Sequence, residues 1–370
     1  MATYKSIRYI VPTEAVEHTD SINALIDVDT NTTAPTDGQI LKWNNTNSKW
    51  YPGNVEGEVS TGGTQKAIIA FGENDNMATN TTLHISGTGT MQRGTNGIGT
   101  ARTGLAAAGY GGDKAIFGFG YSWHSYRDVD ESNLNLTNLV SNTGNVATDS
   151  TGVGTARTGL AASGYGGDKA IFGFGNTSSL QNITNLVSNI GVVATDTTGV
   201  GTARKDLAAA GYGEGKAIFG FGNTSSLQNI TNLVSDTGVV STDTTGVGTA
   251  RSGSAAAGYG GDKAIFGFGY ATSYTNTTNL VSNLGVVATD TTGVGAARTS
   301  LGASSYGGDK ALFAFGYGTG DYGAGRMSAI NFVSNTGVVA TDGSTVNPDT
   351  VYQQWQAKHK VAAAGYSTTA

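Results

Sequence analysis

The twelve residues GYGGDKAIFGFG, 109–120, recur at 164–175 and 258–269 and return as GYGEGKAIFGFG at 211–222. A glycine-rich phrase with a lysine invites comparison with a phosphate-binding loop. That reading fails on spacing: a P-loop requires GxxxxGK, then Ser or Thr, then a helix. In GYGEGKA the lysine, Lys216, is followed by Ala217 and an apolar run of strand character. A tight turn between two strands fits better, because the Gly-Asp and Glu-Gly pairs supply the positive φ that a hairpin connection needs.

The repetition extends beyond this phrase. The run built on Lys-Ala-[Ile/Leu] begins at Lys66, Lys114, Lys169, Lys216, Lys263 and Lys310, in steps of 48, 55, 47, 47 and 47 residues. A second phrase, Arg leading into a Leu-Ala-Ala-rich run, begins at Arg102, Arg157, Arg204, Arg251 and Arg298, and a degenerate copy, KHKVAAAGY, occupies 358–366. Within one unit, 157–203, the apolar runs LAASGY, KAIFGFG, TNLVS and VVATD are separated by turn or polar-loop signals. Four short strands every 47 or so residues, with no helical period, predict an all-β fold: a six-bladed β-propeller of four-stranded blades. The first Lys-Ala run lacks a preceding LAAAGY, and the final VAAAGY lacks a following KAIFGFG. The missing halves match, so the C-terminal strand is expected to complete the first blade and close the ring.

Strand alternation carries a packing expectation. Ala115, Phe117 and Phe119 should share one face, with Ile116, Gly118 and Gly120 on the other. Each phenylalanine pair would then lie over a neighbour's bare glycine face.

Composition agrees with an all-β chain. There are 57 glycines among 370 residues with no period of three, 38% hydrophobic and 9% aromatic residues, enough for a core, and only 13% charged residues. The net charge of -6 and pI near 5.2 offer no basic footprint for nucleic acid. There are no cysteines, so neither disulfides nor thiolate metal sites enter. No run approaches 18 apolar residues, so membrane insertion is not expected, and the start MATYKSIRYIVPTEAV has no apolar core of a secretory signal.

The repeats, R-x-x-L-A-A-x-G-Y-G-G-D-K-A-I-F-G-F-G followed by N-L-V-S-N-T-G-V-V-A-T-D, resemble kelch-type propellers over about residues 65–366. Two departures are the Gly-Phe-Gly in place of paired glycines and a Val in place of the usual Trp of the last strand. The N-terminal stretch SINALIDVDTNTTAPTDGQILKWNNTNSKWYPG resembles a short module of bacteriophage virion and tail-fibre proteins, including those of cyanophages. It implies an attachment segment over residues 1–60, carrying the kelch-like propeller of residues 61–370, in a chain localised to the virion. In its own terms, GQILKW and KWYPG are two short strands around NNTNS that place Trp43 and Trp50 to pair across a hairpin. An isolated hairpin is marginal in water and needs a partner surface: the propeller, a second copy of the chain, or another virion protein.

No catalytic set stands out. His18, His84, His124 and His359 lack metal-ligand spacing, and no nucleophile elbow or aspartate box is present. The reading is a non-enzymatic protein without cofactor or metal. The arginine of each unit could line a cationic ring, but its presence in every unit favours a structural hydrogen-bonding role. Asp149, Asp196, Asp243, Asp290 and Asp342 supply too few oxygens for calcium and suit strand ends and turns.

What varies between units is more informative for function. The loop after KAIFGFG is bland in the third and fourth units, NTSSLQNIT, but becomes YSWHSYRDVDESNLNLT in the second, with YATSYTN and YGTGDYGAGRMSA in the fifth and sixth. Around a closed ring these units form one arc. The candidate ligand-binding residues are Trp123, His124, Tyr126, Arg127, Tyr270, Tyr274, Tyr317, Tyr322 and Arg326, where aromatic and charged side chains could stack on sugars or grip a protein. The expected partners are other virion proteins through the N-terminal segment and a host-surface glycan or protein, with homo-oligomers open. A structural assembly adaptor and a carbohydrate-active enzyme are the competing readings.

Overall fold

The structure, a computed structural model, describes residues 40–44, 49–53, 64–74, 77–94, 98–123, 131–320, 323–344 and 357–369. The chain divides into two compact units, Met1–Glu58 and Val59–Ala370. In the first, Ile40–Asn44 and Lys49–Gly53 pair antiparallel with Trp43 opposite Trp50.

In the second unit every regular element among the described residues is a strand. Six sheets carry the repeated phrases. In the second of them, Ala106–Tyr110 pairs with Lys114–Gly118, which pairs with Thr137–Val140. The glycine-rich phrase turns in three residues between the paired Tyr110 and Lys114, and Gly111 and Gly112 have φ of 61° and 76°. Those angles favour glycine.

The sheets succeed one another along the chain until the first, where order is broken. Lys66–Ala70 pairs with Thr82–Ile85 on one side and with the C-terminal strand Ala362–Tyr366 on the other. Tyr366 lies opposite Lys66, as Tyr110 lies opposite Lys114. Main-chain hydrogen bonds link successive turns: Gly111 N to Asp168 O, Gly166 N to Gly215 O, Gly213 N to Asp262 O and Gly260 N to Asp309 O. Gly307 N then donates to Gln65 O, and Ser367 N to Asp113 O, which returns the series to the second sheet.

Two expectations need correction. The blades were expected to be four-stranded, but four of the six sheets have three hydrogen-bonded strands. The VVATD segment is reduced to isolated bridges such as Val187–Val193 and Thr184–Thr197. A side chain takes a ladder group: the Asn185 amide donates to Ala194 O at 3.0 Å, a carbonyl that a ladder would use, and to the Asp196 carboxylate at 2.9 Å.

The second correction concerns Phe119. It has φ of 64°, and its counterparts Phe71, Phe174, Phe221, Phe268 and Phe315 lie between 62° and 65°. This left-handed residue breaks the alternation and turns Phe119 away from the face of Ala115 and Phe117. Phe117 packs with Phe71 of the first sheet, whereas Phe119 joins Ile116 and meets Phe172 of the third at 5.2 Å. The glycine half of the expectation holds. A Cβ on Gly118 would come within 2.8 Å of Phe172, and Gly173, Gly220 and Gly267 stand in the same relation to Phe219, Phe266 and Phe313.

The repeated arginine holds this corner. Arg102 is fully buried; its Nε donates to Phe119 O, Nη1 to Thr100 O and Nη2 to the Asn138 side chain, and the guanidinium lies 4.2 Å over the Phe71 ring. Asp149 accepts from Thr100 and Asn138 and stands 3.7 Å from the arginine. Burial lowers the arginine's pKa to about 10 against the pull of Asp149, leaving it charged at neutral pH. A left-handed phenylalanine costs on the order of 1–3 kcal/mol; burial of its ring and the charge-assisted bond from Arg102 Nε to its carbonyl offset that cost.

Candidate functional site

Because neighbouring strands run antiparallel, the loops after KAIFGFG lie at the end of each sheet opposite the glycine turns. In the fifth sheet Lys263–Tyr270 and Tyr274–Val281 form a long hairpin, with a register shift at the left-handed Phe268. That shift lets Tyr270 pair with Tyr274, their rings 5.5 Å apart and edge to face. In the sixth sheet the chain leaves Lys310–Ala314 and runs into Tyr317–Gly320, presenting Tyr317 beside Tyr274 at 6.1 Å. His359, just before the C-terminal strand, completes the row 5.5 Å from Tyr317.

The row ends on a charged cluster. Glu73 pairs through its backbone with His359, and its carboxylate lies 3.4 Å from Arg326 Nη2, 3.4 Å from Lys360 Nζ and 3.6 Å from His359 Nε2. Burial pushes the His359 pKa down to about 4, against the opposing pull of Glu73, so the imidazole is neutral at physiological pH. Its Nδ1 is buried without a hydrogen-bond partner among the described residues.

Of the residues proposed from sequence, Tyr270, Tyr274, Tyr317 and Arg326 are brought together here. Trp123 is half-buried just after the two-residue strand Tyr121–Ser122, which pairs with Ser132–Asn133 apart from the second sheet, and makes no ring contact with the row among the described residues. His124, Tyr126, Arg127 and Tyr322 lie outside the described residues. Glu73, His359 and Lys360 were missed. The signal for the last two was the departure of KHK from the ARTG pattern. Glu73 carried none, since it reaches the site only through pairing with the far end of the chain.

The exposed Tyr270 and the half-buried Tyr274 and Tyr317 offer aromatic surface beside fixed charges. Such an arrangement can stack on the apolar face of a sugar or on a planar side chain while the charges orient polar groups. Among the described residues no group of three or more His, Asp or Glu gathers to hold a metal. No described helix is long and apolar enough to cross a membrane.

These features define an all-β protein built from repeated small antiparallel sheets. A solved structure, that of YjhT, is similar in fold, with a TM-score of 0.54 at 10% identity over 74% of this chain and 96% of its own. No family model matches the chain, and no curated protein matches it in sequence.

Proposed function

We propose that residues 61–370 form a six-bladed, kelch-like β-propeller closed by the C-terminal strand. The propeller serves as a non-enzymatic virion appendage that binds a host-surface glycan or protein. The ring reading is supported by the pairing of Ala362–Tyr366 with Lys66–Ala70 and by the turn-to-turn hydrogen bonds that lead back to the second sheet. The virion assignment rests on the resemblance of the N-terminal stretch alone.

The observation that carries the binding reading is a polarity of ends. Tyr270, Tyr274, Tyr317 and the Glu73 cluster lie at one end of the sheets. The repeated glycine turns lie at the other, around a cavity of about 280 Å³ lined by Gly109, Tyr110 and Gly365. The turns at that end repeat almost unchanged, whereas the loops at the end of the aromatic row vary between repeats and carry the side chains suited to meet a partner.

The test is adhesion of the purified chain to host cells and to a glycan array. Replacing Tyr274 and Tyr317 together by Ala removes the middle of the aromatic row and should abolish binding without lowering the thermal midpoint by more than a few degrees. Unchanged adhesion by a folded double variant would reject the site.

A further inference from the structure

Each inner strand begins with a residue in the left-handed region, and these residues are hydrogen-bonded to one another around a common centre. Gly159 N donates to Gly104 O, Asp206 N to Gly159 O, Gly253 N to Asp206 O, Ser300 N to Gly253 O and Lys360 N to Ser300 O, all at 2.7–2.9 Å. Their φ values run from 51° to 64°. The strands that follow Lys360 and Gly104 are themselves neighbours, so the six positions lie around one circuit.

Three of the six are glycine, as the conformation favours. The other three are Asp206, Ser300 and Lys360. Left-handed backbone in a non-glycine residue is costly and persists either where packing compensates it, as at the buried Phe119, or where the side chain serves a site; Asp206 is exposed and has no such packing. Nothing in the sheets asks for these side chains, because glycine serves in the same place in three repeats. Asp206 and Lys360 are also three steps apart in either direction, which sets a carboxylate and an ammonium across the circuit from each other.

The Asp206 carboxylate has no hydrogen bond or ion pair among the described residues, while Lys360 is held by Glu73 at 3.4 Å. Asp206 is open to solvent, yet the protein around it raises its pKa by desolvation, with Lys205 and Lys360 opposing. The circuit opens at the same end of the sheets as the aromatic row, and His359 of that row precedes Lys360.

We propose that Asp206, Ser300 and Lys360 form an axial binding site for a neutral, hydroxyl-rich ligand, the terminal residue of a saccharide. Sugar hydroxyls would donate to the Asp206 carboxylate and accept from the Lys360 ammonium, with Ser300 serving in either sense. Glu73 fixes Lys360 in place. The near balance of charge, with Asp206 and Glu73 against Lys205, Lys360 and Arg326, and the lack of a clustered metal set among the described residues favour a neutral ligand over an ion. This assignment rests on the glycan form of the reading above and names the part of the sugar that the aromatic row alone would not read.

The experiment uses the full chain, with the methyl glycosides of glucose, galactose and mannose as probes, followed by saturation-transfer NMR and titration. Asp206→Gly installs the residue found at Gly104, Gly159 and Gly253, so it should fold with an unchanged or higher thermal midpoint. At least one glycoside should bind the parent, and Asp206→Gly should weaken it roughly ten- to a hundredfold, as loss of a hydrogen bond to a charged group does. Binding by Asp206→Gly equal to the parent overturns the axial site; if Tyr274→Ala abolishes that binding, the adhesion reading stands without it. If no glycoside binds the parent, the saccharide assignment is overturned, and adhesion to cells by the same preparation would then point to a protein receptor.

Discussion

A lysine in place of one arginine shows what the guanidinium does. At the first sheet Lys358 stands where the other sheets have arginine, and Leu83 stands where they have asparagine. Lys358 bonds Thr81, and burial with the nearby Arg93 pushes its pKa down to about 8. Arg204, by contrast, reaches Phe221 O, Thr202 O and Asn232 together and stays charged. An ammonium cannot span three such acceptors with a planar fork. Arg204→Lys is therefore expected to cost about 2–4 kcal/mol at neutral pH in a denaturant melt, since one buried partner is left unmatched. The sign of its pH dependence follows from the depressed lysine pKa. The unfolded lysine keeps its proton up to about 10.4, whereas the folded one releases it earlier, so the deficit should shrink as pH rises between about 8, the value at Lys358, and the ordinary lysine range. A deficit that is flat across that window would contradict a buried ammonium.

The aspartates of the same network titrate in the other direction. Burial alone would raise Asp149, Asp196, Asp243 and Asp290, but hydrogen bonds from the neighbouring threonine and asparagine and the pull of the arginine hold them below the usual carboxylate value. Their stabilisation is present above the unfolded pKa, near 3.9, and is lost as pH falls through the lower folded values. His359 adds a loss that begins near pH 6.5 and runs down to about 4, because the unfolded imidazole takes its proton first. Stability should hence decline in two stages on acidification, and His359→Gln should remove the upper one in urea melts followed from pH 7 to pH 3.

At the scale of the strand, the contact between sheets is a glycine under a phenylalanine edge. Gly173 leaves room for Phe219, where a Cβ would approach Cζ to 2.8 Å. Two seams use other pairs: Ala70 stands in place of the glycine beside Phe117 between the first and second sheets, and between the sixth and first Ala314 replaces the glycine and Ile69 the phenylalanine, both buried in one cluster. Gly173→Ala should cost about 1–3 kcal/mol as overpacking. Adding Phe219→Ile should restore at least part of that loss, although Phe219→Ile alone leaves a cavity, so the two changes should couple favourably in a double-mutant cycle. Additive losses would mean that these residues do not meet. The glycine face was legible in the sequence because alternation predicts it. The placement of Phe119 was not, since period-two alternation assumes extended backbone at every residue, and nothing in KAIFGFG marks the one residue that leaves it. The missing fourth strand was hidden for a related reason: VVATD reads as a strand, while the Asn185 side chain that takes its hydrogen bonds lies in the preceding run.

At the scale of the whole unit, what could be read was whatever repeats or fails to repeat. Six copies at steps of 47 to 55 residues, with complementary halves at the two ends, foretold the pairing of Ala362–Tyr366 with Lys66–Ala70 from residues almost 300 apart in sequence. The candidate site was legible only in its loop residues. Glu73, His359 and Asp206 each sit inside a copy of the repeat, where a single departure looks like drift until the sheets bring the departures together. That same long-range pairing makes the C-terminal strand decisive for stability. Besides its strand ladder it contributes Ser367, which donates to Asp113 O and accepts from Gln65 N, joining the first sheet to the second. Deleting 358–370 removes both links and exposes the edge of Lys66–Ala70, together with the apolar surface now covered by Ala362, Ala364 and Tyr366. The truncated chain is expected to lose its cooperative thermal transition and to associate through the bared edge. A synthetic peptide of residues 358–370 added in excess should restore the transition, because it can fill the vacant place in the ladder and is linked to folding by mass action. A truncated chain that melts as the parent does, with or without the peptide, would show that the fold does not depend on its last strand.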